Sequence, residues 1–314
     1  MAPLNNKVPA RIVIVGSSNT DLVIQVDRVP KVGETVIGGR FFTAGGGKGA
    51  NQAVAAANGG GNVVFIGRIG RDTYGEEVET ELARAGIDIA HVARDEKAPS
   101  GVALIFAGRD GTNSIAVSSG ANQRLCLDDL AKAKRVFRRG NILLAQLEAP
   151  LAVVKAAVYS AAKSGMRIIL NPAPALPLPD ALLRKIDILT PNEHEVEALT
   201  GIRVDTAKSA SHATEKLRRR GVNTVIITLG SRGVFVAEPH RNTLFPAFKV
   251  SPIDTTGAGD VFNGSLAVAL VEGRPLLEAV RFGQAAAALS VMRMGAQTSA
   301  PHRVEIDRFL KSQK

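Results

Sequence analysis

The chain has 314 residues, a formal net charge of +10 and one cysteine. This length fits one large α/β domain with an appendage or two domains, and no low-complexity linker divides it. No apolar run is long enough to cross a membrane, and Met1 to Ala10 has no signal-peptide core. Cys126 has no second cysteine to pair with, so we expect a cytoplasmic protein in which it is a buried apolar residue.

The net positive charge does not follow the pattern of a nucleic-acid-binding protein. Two basic runs, 132–139 and 216–220, end helical patterns and precede a glycine, where cations favour the helix dipole and face solvent. The chain also has no Trp and two Tyr, which leaves no stacking platform for single strands. We expect neither a nucleic acid nor a membrane as partner, and a basic surface that attracts an anionic nucleotide.

The first predicted strand ends in polar residues. An apolar run at 11–16 predicts a buried strand, and Asn19 and Asp21 follow it. Polar side chains beyond the carboxyl end of a strand lie where ligands bind in open α/β folds, although Asn and Asp also suit a plain turn. The segments 22–26 and 34–42 then alternate between apolar and polar residues, which predicts strands of a small sheet.

A glycine-rich loop at 45–51 opens a predicted helix and contains Gly47, Lys48 and Asn51. It has the lysine of a Walker loop but lacks its Ser or Thr, so this cluster alone is a weak signal. The elements predicted next are a strand at 63–66 and a helix at 75–85.

Two further runs predict a hairpin. The β-branched runs 102–106 and 114–117 flank Asp110-Gly111, and an Asp-Gly pair in this position is a hairpin signal. If this hairpin pairs with the earlier small-sheet strands, the two form a lid. We therefore expect a single domain of 314 residues in which lid segments at about 20–44 and 100–119 are inserted in an α/β core.

From residue 128 onward strands and helices alternate, which predicts a parallel sheet covered by helices on both faces. The predicted strands are 142–146, 167–170, 186–189 and 224–228, and the predicted helices are 151–164, 194–199 and 208–220. The residues that follow these strands are Glu148, Asn171, Asn192 with Glu195, and Thr228-Leu229-Gly230. The carboxyl ends of parallel strands share one edge, so we expect one polar crevice there.

Near the C-terminus, Gly257 to Asp260 lies at the mouth of a helix predicted at 261–271, after a short strand predicted at 248–250. The first helical turn has unpaired N–H groups with partial positive charge, and Gly257 and Gly259 carry no side chain that would keep an anion away. The result is an anion hole suited to a phosphate.

The acidic residue in this anion hole has two explanations. Asp260 is either an acid that favours the helix dipole or a base that takes a proton from a hydroxyl attacking the phosphate, which is the arrangement of a kinase. The segment is not a Walker loop, and it is not a dinucleotide fingerprint because Phe262 stands in place of the third glycine. The same replacement disfavours an NAD-binding oxidoreductase. Last, we predict an antiparallel strand at 234–237, a long helix at 276–292 and a final helix.

With these motifs the sequence resembles the ribokinases, within the larger group of ribokinase-like sugar and nucleoside kinases, from Val13 to Phe309. The resemblance is carried by Asn19-Thr20-Asp21, Gly46 to Gln52, Gln146-Leu147-Glu148, Asn171 to Pro174, Thr190 to Glu193, Ile227 to Gly233 and Asp254 to Asp260. It implies a three-layer α/β/α fold with a mostly parallel central sheet and a small β-sheet lid. It also implies ATP-dependent phosphorylation of D-ribose at O5, Mg²⁺ with the nucleotide, K⁺ as an activating cation, and a homodimer formed through the lid.

The resemblance also implies a role for individual residues. Sugar binding falls to Asn19, Asp21, Gly47, Lys48, Asn51 and Glu148. Asp260 is the base, and the amides of Gly257, Ala258 and Gly259 stabilise the phosphoryl group in transfer. The nucleotide is bound by Asn192, Glu195, Thr228, Leu229, Gly230, Ser231, Arg232, Gly233, Gly259 and Gln284. Glu195 holds Mg²⁺ through water, and the monovalent cation lies in loops that contain Asp254, Thr256, Ser290, Arg293, Gly295 and Ser299.

The choice of substrate stays open within the kinase class, where 2-deoxyribose, another small sugar or a nucleoside are the alternatives. Asn19 and Asp21 favour a substrate with vicinal hydroxyls. The predicted lid has no aromatic cluster on which the base of a nucleoside would stack, which disfavours an adenosine-type substrate.

Overall fold

The computed structural model describes residues 9–109 and 112–313. Its strands, in chain order, are β1 (Ile12–Val15), β2 (Asn19–Val26), β3 (Arg40–Gly46), β4 (Val63–Gly70), β5 (Asp88–Asp95), β6 (Gly101–Gly108), β7 (Asn113–Ser118), β8 (Ile142–Ala145), β9 (Arg167–Leu170), β10 (Ile188–Leu189), β11 (Thr224–Thr228), β12 (Val234–Glu238) and β13 (Arg241–Phe245). The α-helices are α1 (Lys48–Asn58), α2 (Thr73–Arg84), α3 (Leu127–Lys132), α4 (Leu151–Lys163), α5 (Asp180–Leu183), α6 (Glu193–Thr200), α7 (Ala207–Arg219), α8 (Ala258–Val271), α9 (Leu276–Ser290) and α10 (Arg303–Ser312).

The central sheet is mostly parallel and lies between two layers of helices. Within the described residues it has nine strands in the order β13-β12-β11-β10-β9-β8-β1-β4-β5. The strands from β11 to β5 pair in parallel, and β12 and β13 pair antiparallel at one edge. Alternate side chains of a strand point to opposite faces, so Ile12 and Ile14 of β1 enter one core while Val13 and Val15 enter the other. The predicted three-layer architecture is confirmed.

A second sheet, which we call the lid sheet, has the order β3-β2-β6-β7. Its outer strands pair antiparallel with β2 and β6, and β2 pairs in parallel with β6, from Asn19 opposite Gly101 to Val26 opposite Gly108. The predicted hairpin and its pairing with the earlier strands are confirmed, although Asp110-Gly111 lies outside the described residues.

Several boundaries differ from the sequence predictions. The strand predicted from residue 34 begins only at Arg40, because Gly38 and Gly39 before it have φ of 105° and 106°, which ends extended pairing. The segment 248–250 is not a strand, since Phe248 instead packs edge-on against Phe309 at 5.0 Å between ring centroids. Cys126 is half-buried rather than buried, beside the Asp129 carboxylate that its Sγ contacts at 3.3 Å.

No helix in the described part of the chain is long and apolar enough to span a membrane. The basic run 216–220 lies as predicted at the end of α7, whose last turn contains Lys216, Arg218 and Arg219. Of the run 132–139, only Lys132 lies in the last turn of α3, and Lys134–Val136 form a separate 3₁₀ helix. Cations at these positions interact favourably with the carboxyl ends of the helices.

Candidate active site

The structure brings the polar residues that follow the parallel strands to one edge of the central sheet. Glu148 lies just beyond β8 and accepts a hydrogen bond from Ser17 Oγ, just beyond β1, at 2.6 Å. Asn171, beyond β9, is joined through Gln52 to Asp260 at the start of α8. Because the strands that carry these residues are parallel, their carboxyl ends meet here, which is where ligands bind in folds of this kind.

Glu148 also binds the first residue of α1. Its Oε2 accepts a hydrogen bond from the backbone N–H of Lys48 at 3.0 Å, and Lys48 Nζ lies 3.7 Å from Oε1. Burial disfavours the charge on Lys48, but Asp260, Glu148 and Glu195 outweigh this effect and raise the pKa of Lys48 above its ordinary value. Lys48 is therefore a fixed cation in the middle of the edge.

Asp260 is almost completely buried in the first turn of α8. Asn51 Nδ2 donates to its Oδ2 at 3.0 Å and Gln52 Nε2 donates to its Oδ1 at 2.9 Å. Burial raises the pKa of Asp260, while Lys48 and the two amides act in the opposite direction. A carboxylate with a raised pKa and both oxygens oriented by amides is suited to accept a proton.

In the part of the chain that the structure describes, Asn51 Oδ1 is the unpaired end of the amide that binds Asp260. It is buried and has no hydrogen-bond partner among the described residues, although the other end of the same amide is bonded to Asp260. A buried acceptor without a partner costs free energy unless a ligand satisfies it. A hydroxyl group held beside Asp260 would do so.

Asp21 lies in β2, at the base of the lid sheet. Burial, followed by the charge of Glu148, raises the pKa of Asp21 to about 6, and Lys48 opposes this shift. A Cβ added to Gly46 would overlap the Asp21 carboxylate, so glycine at this position leaves the carboxylate room. A larger residue at position 46 would therefore displace Asp21.

Asn19 is oriented by a residue that the sequence analysis did not identify. Its Oδ1 accepts a hydrogen bond from Asn122 Nδ2 at 2.8 Å, which turns the Asn19 amide nitrogen the other way. Asn122 also accepts from Ser18 N at 2.9 Å and donates to Ser18 O at 2.9 Å. It lies in a short 3₁₀ helix, Gly120–Arg124, directly after the lid sheet. Nothing in its local sequence indicates this role, because its partners lie about a hundred residues away.

The predicted anion hole lies at the start of α8, where the Ala258 N–H donates to Thr255 O at 3.3 Å. Gly257 precedes α8 with φ of 73°, in the left-handed region that favours glycine. A Cβ added there would lie 2.8 Å from the Ala296 Cβ, so the turn also touches the loop after α9. Gly259 is exposed, which leaves the helix N-terminus open to a ligand.

On the other side of the edge, Asn192 and Glu195 form a capping box at the start of α6. Asn192 Oδ1 accepts from Glu195 N at 2.9 Å, and Glu195 Oε2 accepts from Asn192 N at 2.8 Å. Glu195 lies near enough to Lys48 and Asp260 for their charges to act on its pKa, which burial raises. An isolated bridge pairs Asn192 with Thr228, so the loops after β10 and β11 are neighbours.

The segment after β11 presents mainly backbone. Leu229 packs in the core, while Gly230, Ser231 and Arg232 are exposed. Arg232 is bound to Glu193 and to the carbonyl oxygens of Val204 and Asp205. Its guanidinium is therefore engaged with α6 and the loop that follows.

Gln284 lies close to the 228–233 segment. Its Nε2 is 3.4 Å from the carbonyl oxygens of both Phe245 and Pro246. A Cβ added to Gly233 would overlap the same Phe245 oxygen. Gln284 and Gly233 therefore border the same stretch of chain. The structure thus brings Gln284 together with the 228–233 segment.

The residues predicted to hold a monovalent cation lie in two loops, which Asp254 connects. Asp254 accepts from Thr256 N at 2.9 Å and from Gly295 N at 2.8 Å, one N–H for each carboxylate oxygen. The hydroxyls of Ser290 and Ser299 donate to Ala287 O and Ala296 O, and Arg293 pairs with Glu305. The side chains of these last three residues are therefore already engaged, and only their carbonyl groups remain to line a site.

Comparison with known proteins agrees with this geometry. Residues 9–303 match the model of the pfkB family carbohydrate kinases. A ribokinase from Haemophilus influenzae is 45% identical over 300 residues, which cover 96% of this chain and 98% of that protein. A deoxyribokinase from Salmonella typhi is 35% identical over 300 residues, which cover 95% and 98%.

Among solved structures, Arabidopsis thaliana ribokinase complexed with ribose and ATP superposes with a TM-score of 0.88 at 35% identity, over 96% of this chain and 99% of that one. These matches confirm the resemblance to ribokinase-like kinases on which the sequence analysis relied. The match extends over nearly all of the chain, and the chain belongs to the pfkB family of carbohydrate kinases.

Proposed function

We propose that this chain transfers the γ-phosphoryl group of ATP to O5 of D-ribose, giving D-ribose 5-phosphate and ADP. The observation that carries the proposal is the buried Asp260 carboxylate, which lies at an open helix N-terminus beside the unpartnered acceptor of Asn51. A base next to an anion hole is what transfer of a phosphoryl group to a hydroxyl requires. The relatives named ribokinase, and the solved ribokinase with ribose and ATP, support ribose as the acceptor.

In this proposal the sugar is held between the lid sheet and the core. Asn19 and Asp21 bind it from β2, and Lys48, Asn51 and Glu148 bind it from the core, where Gly47 lets the chain turn with φ of 83°. Paired hydrogen bonds to vicinal hydroxyls fix the orientation of the ring. Closure of the lid sheet keeps water from the phosphate.

Asp260 takes the proton of the ribose O5 hydroxyl as the O5–phosphorus bond forms and the bond from phosphorus to the ADP oxygen breaks. The N–H groups of Gly257, Ala258 and Gly259 stabilise the charge on the phosphoryl group in transfer. This assignment uses the orientation of Asp260 by Asn51 and Gln52, which leaves lone pairs on both carboxylate oxygens for the substrate.

The nucleotide binds across Asn192, Glu195, the segment 228–233, Gly259 and Gln284. Kinases use ATP together with Mg²⁺, and the ion neutralises the charge of the phosphates when it is bound. The donor set fits: Mg²⁺ keeps several waters and is usually held by one or two carboxylates with the substrate phosphates. Glu195 is a carboxylate in this position, and the described residues contain no cluster of three or more His, Cys, Asp and Glu that would cage a metal.

Sugar choice is tested with a panel of sugars and nucleosides in a coupled assay of ADP release. We expect D-ribose to exceed 2-deoxyribose in kcat/KM, because loss of one hydroxyl leaves a buried polar group unpaired. The deoxyribokinase relative makes 2-deoxyribose the specific alternative. Equal efficiency with the two sugars would remove the ribose assignment and leave the kinase assignment intact.

A K⁺ ion beside the anion hole is the second part of the proposal. Asp254 ties the 254–256 turn to Gly295, and Gly257 lies against Ala296, so the two loops meet beside Gly257 and their carbonyl groups are the ligands that we propose for the ion. An ion there holds the N–H groups in position before the reaction begins. We expect activation by K⁺ and little by Na⁺ at constant ionic strength and saturating Mg-ATP. The same turnover in potassium, sodium and choline salts would reject the ion.

A homodimer formed through the lid is the third part. Large apolar side chains on the lid sheet are exposed, among them Phe41 at 61%, Leu104 at 50% and Val117 at 58%. Exposed edges and apolar faces of sheets favour association unless they are covered. Light scattering should give the mass of a dimer, and a fully active monomer at assay concentration would count against it. We place this protein in the cytoplasm on the basis of its single cysteine.

A further inference from the structure

A chain of buried amides runs from the central sheet to Asp260. Asn171 Nδ2 donates to the backbone carbonyl of Thr190 at 2.9 Å, and Asn171 Oδ1 accepts from Gln52 Nε2 at 3.1 Å. The same Gln52 nitrogen donates to Asp260 Oδ1 at 2.9 Å. Gln52 Oε1 accepts in turn from Gln146 Nε2 at 2.6 Å.

The chain can point in only one direction. A backbone carbonyl only accepts, so Asn171 must turn its nitrogen to Thr190 and its oxygen to Gln52. Gln52 must then present its nitrogen, whose two hydrogens are both used, one on Asn171 and one on Asp260. Asp260 Oδ1 is thereby required to accept rather than donate.

The position of Gln52 is as fixed as its direction. The residue is fully buried, and Asn171 and Gln146 are buried as well. Gly264, one turn after Asp260, allows α8 to approach α1 closely, since an added Cβ would lie 2.5 Å from Gln52 O and 2.9 Å from Ala55 Cβ. The amide therefore reaches Asp260 from a rigid helix crossing.

We propose that Gln52 is a positioning residue, which orients the Asp260 carboxylate and holds its Oδ1 as an acceptor, so that the proton of the sugar hydroxyl is taken in one defined geometry. This inference rests on the role of Asp260 as the base. Gln52 itself does not touch the reacting atoms.

The charges around Asp260 allow a distinct measurement. Lys48 of α1 lowers the pKa of Asp260, and Glu148 after β8 raises it. Glu195 of α6 is close enough that the charge of Asp260 acts on the Glu195 pKa. Gln52 is a neutral donor that lowers the pKa of Asp260. Its loss should move the acid limb of the kcat profile, measured at saturating ribose, to higher pH while these three charged groups stay in place.

The test compares Gln52→Met, Asp260→Asn and the double variant, with Asn141→Leu as control. Asn141 is a buried amide at the opposite edge of the sheet, bonded to Arg11 N and Val136 O. We expect Gln52→Met to lower kcat about 10- to 100-fold and to change KM for ribose less than about threefold. In the Asp260→Asn background the same change should alter kcat less than about twofold, since the residue it acts through is gone.

Each other outcome has a defined meaning. A kcat within about threefold of the parent in Gln52→Met, while Asp260→Asn is strongly impaired, overturns the inference and keeps the base. Near-normal turnover in Asp260→Asn overturns the proposed function itself. An equal loss of kcat in Asn141→Leu shows that any buried amide has this effect, which also overturns the inference.

Should Gln52→Met not fold, Gln52→Glu decides, because it keeps the shape of the side chain. The new carboxylate repels Asp260, so we expect a loss of kcat and a shift of the acid limb to higher pH. Parent-like kcat and pH profile in Gln52→Glu overturn the inference.

Discussion

The two sides of the proposed active site are built differently. On the sugar side, Asn19, Asn51 and Asp260 are buried, and each is oriented by a side-chain hydrogen bond. On the nucleotide side, Gly230 and Ser231 are exposed, and Asn192 is held by its own helix cap. The sugar side is thus organised before a ligand arrives, while the nucleotide side combines the buried Glu195 and Gln284 with the exposed residues Gly230 and Ser231. We therefore expect single substitutions on the sugar side to impair catalysis far more than single substitutions on the nucleotide side.

The largest effect should come from Asp260→Asn. The variant should keep nucleotide binding and lose turnover by on the order of 10²- to 10⁴-fold, which is the usual effect of removing a general base. Turnover with ribose and binding of ATP by calorimetry are the two measurements. Near-normal turnover would show that the most buried carboxylate of the sugar side is not the base.

Glu148→Gln should have the next largest effect. Glu148 accepts hydrogen bonds from Ser17 and Lys48 N, and its charge faces the Lys48 ammonium. Loss of bonds to a charged group should lower kcat/KM for ribose about 10- to 100-fold, with a smaller change in KM for ATP. Glu197→Gln, at an exposed position of α6, is the control. If KM for ATP changes more than kcat/KM for ribose, Glu148 does not belong to the sugar side.

The pH dependence of ribose binding should report on Asp21, whose pKa is about 6. Asp21 is charged above this pH and accepts hydrogen bonds from hydroxyls, and it is neutral below. We expect the Kd for ribose to be constant above about pH 7 and to rise about tenfold per unit below about pH 5, since one proton must be lost on binding. Calorimetry over this range would show it, and Asp21→Asn should bind weakly without this dependence. A parent Kd that is constant to pH 5 would contradict the assignment.

The smallest effect should come from Ser231→Ala on the nucleotide side. This exposed residue lies in a short 3₁₀ helix, Gly230–Arg232, between β11 and β12. We expect less than about a twofold change in KM for ATP, because the segment offers the nucleotide mainly its backbone and loss of an exposed hydroxyl leaves no buried group unpaired. A tenfold increase in KM would mean that this hydroxyl makes a specific bond and that the two sides are less different than their burial suggests.

The residues of the proposed sugar side could be identified from the sequence, whereas the hydrogen bonds that connect them could not. Asn19, Lys48 and Asp260 each lie in a local pattern, at a strand end or a helix start, that is visible in a few residues. The bond from Gln52 to Asp260 joins residues 208 positions apart, so only the packing of α1 on α8 creates it. Asn122 was missed for the same reason.

The secondary structure also shows that local sequence does not predict what depends on distant residues. The buried strands β9 and β11 were predicted to the residue, since a continuous apolar run is a strong signal. The edge strands β5 and β13 were not predicted. Each pairs on one side only, β5 has a single buried position and β13 has none, so neither shows the apolar pattern of a buried strand. Their conformation depends on the neighbouring strand rather than on local sequence.

The parallel pairing of β2 with β6 has a consequence for synthesis of the chain. Partner residues in this pair, such as Asn19 and Gly101, are about eighty residues apart, and β3, α1, β4, α2 and β5 lie between them. On the ribosome, β2 therefore emerges well before its partner and presents an unpaired edge. Closing so long a connection is favourable only once the intervening elements have packed, so the lid sheet is completed after the core that carries it. Pulsed hydrogen exchange during refolding should show β6 protected after β1 and β4, and simultaneous protection would contradict this order.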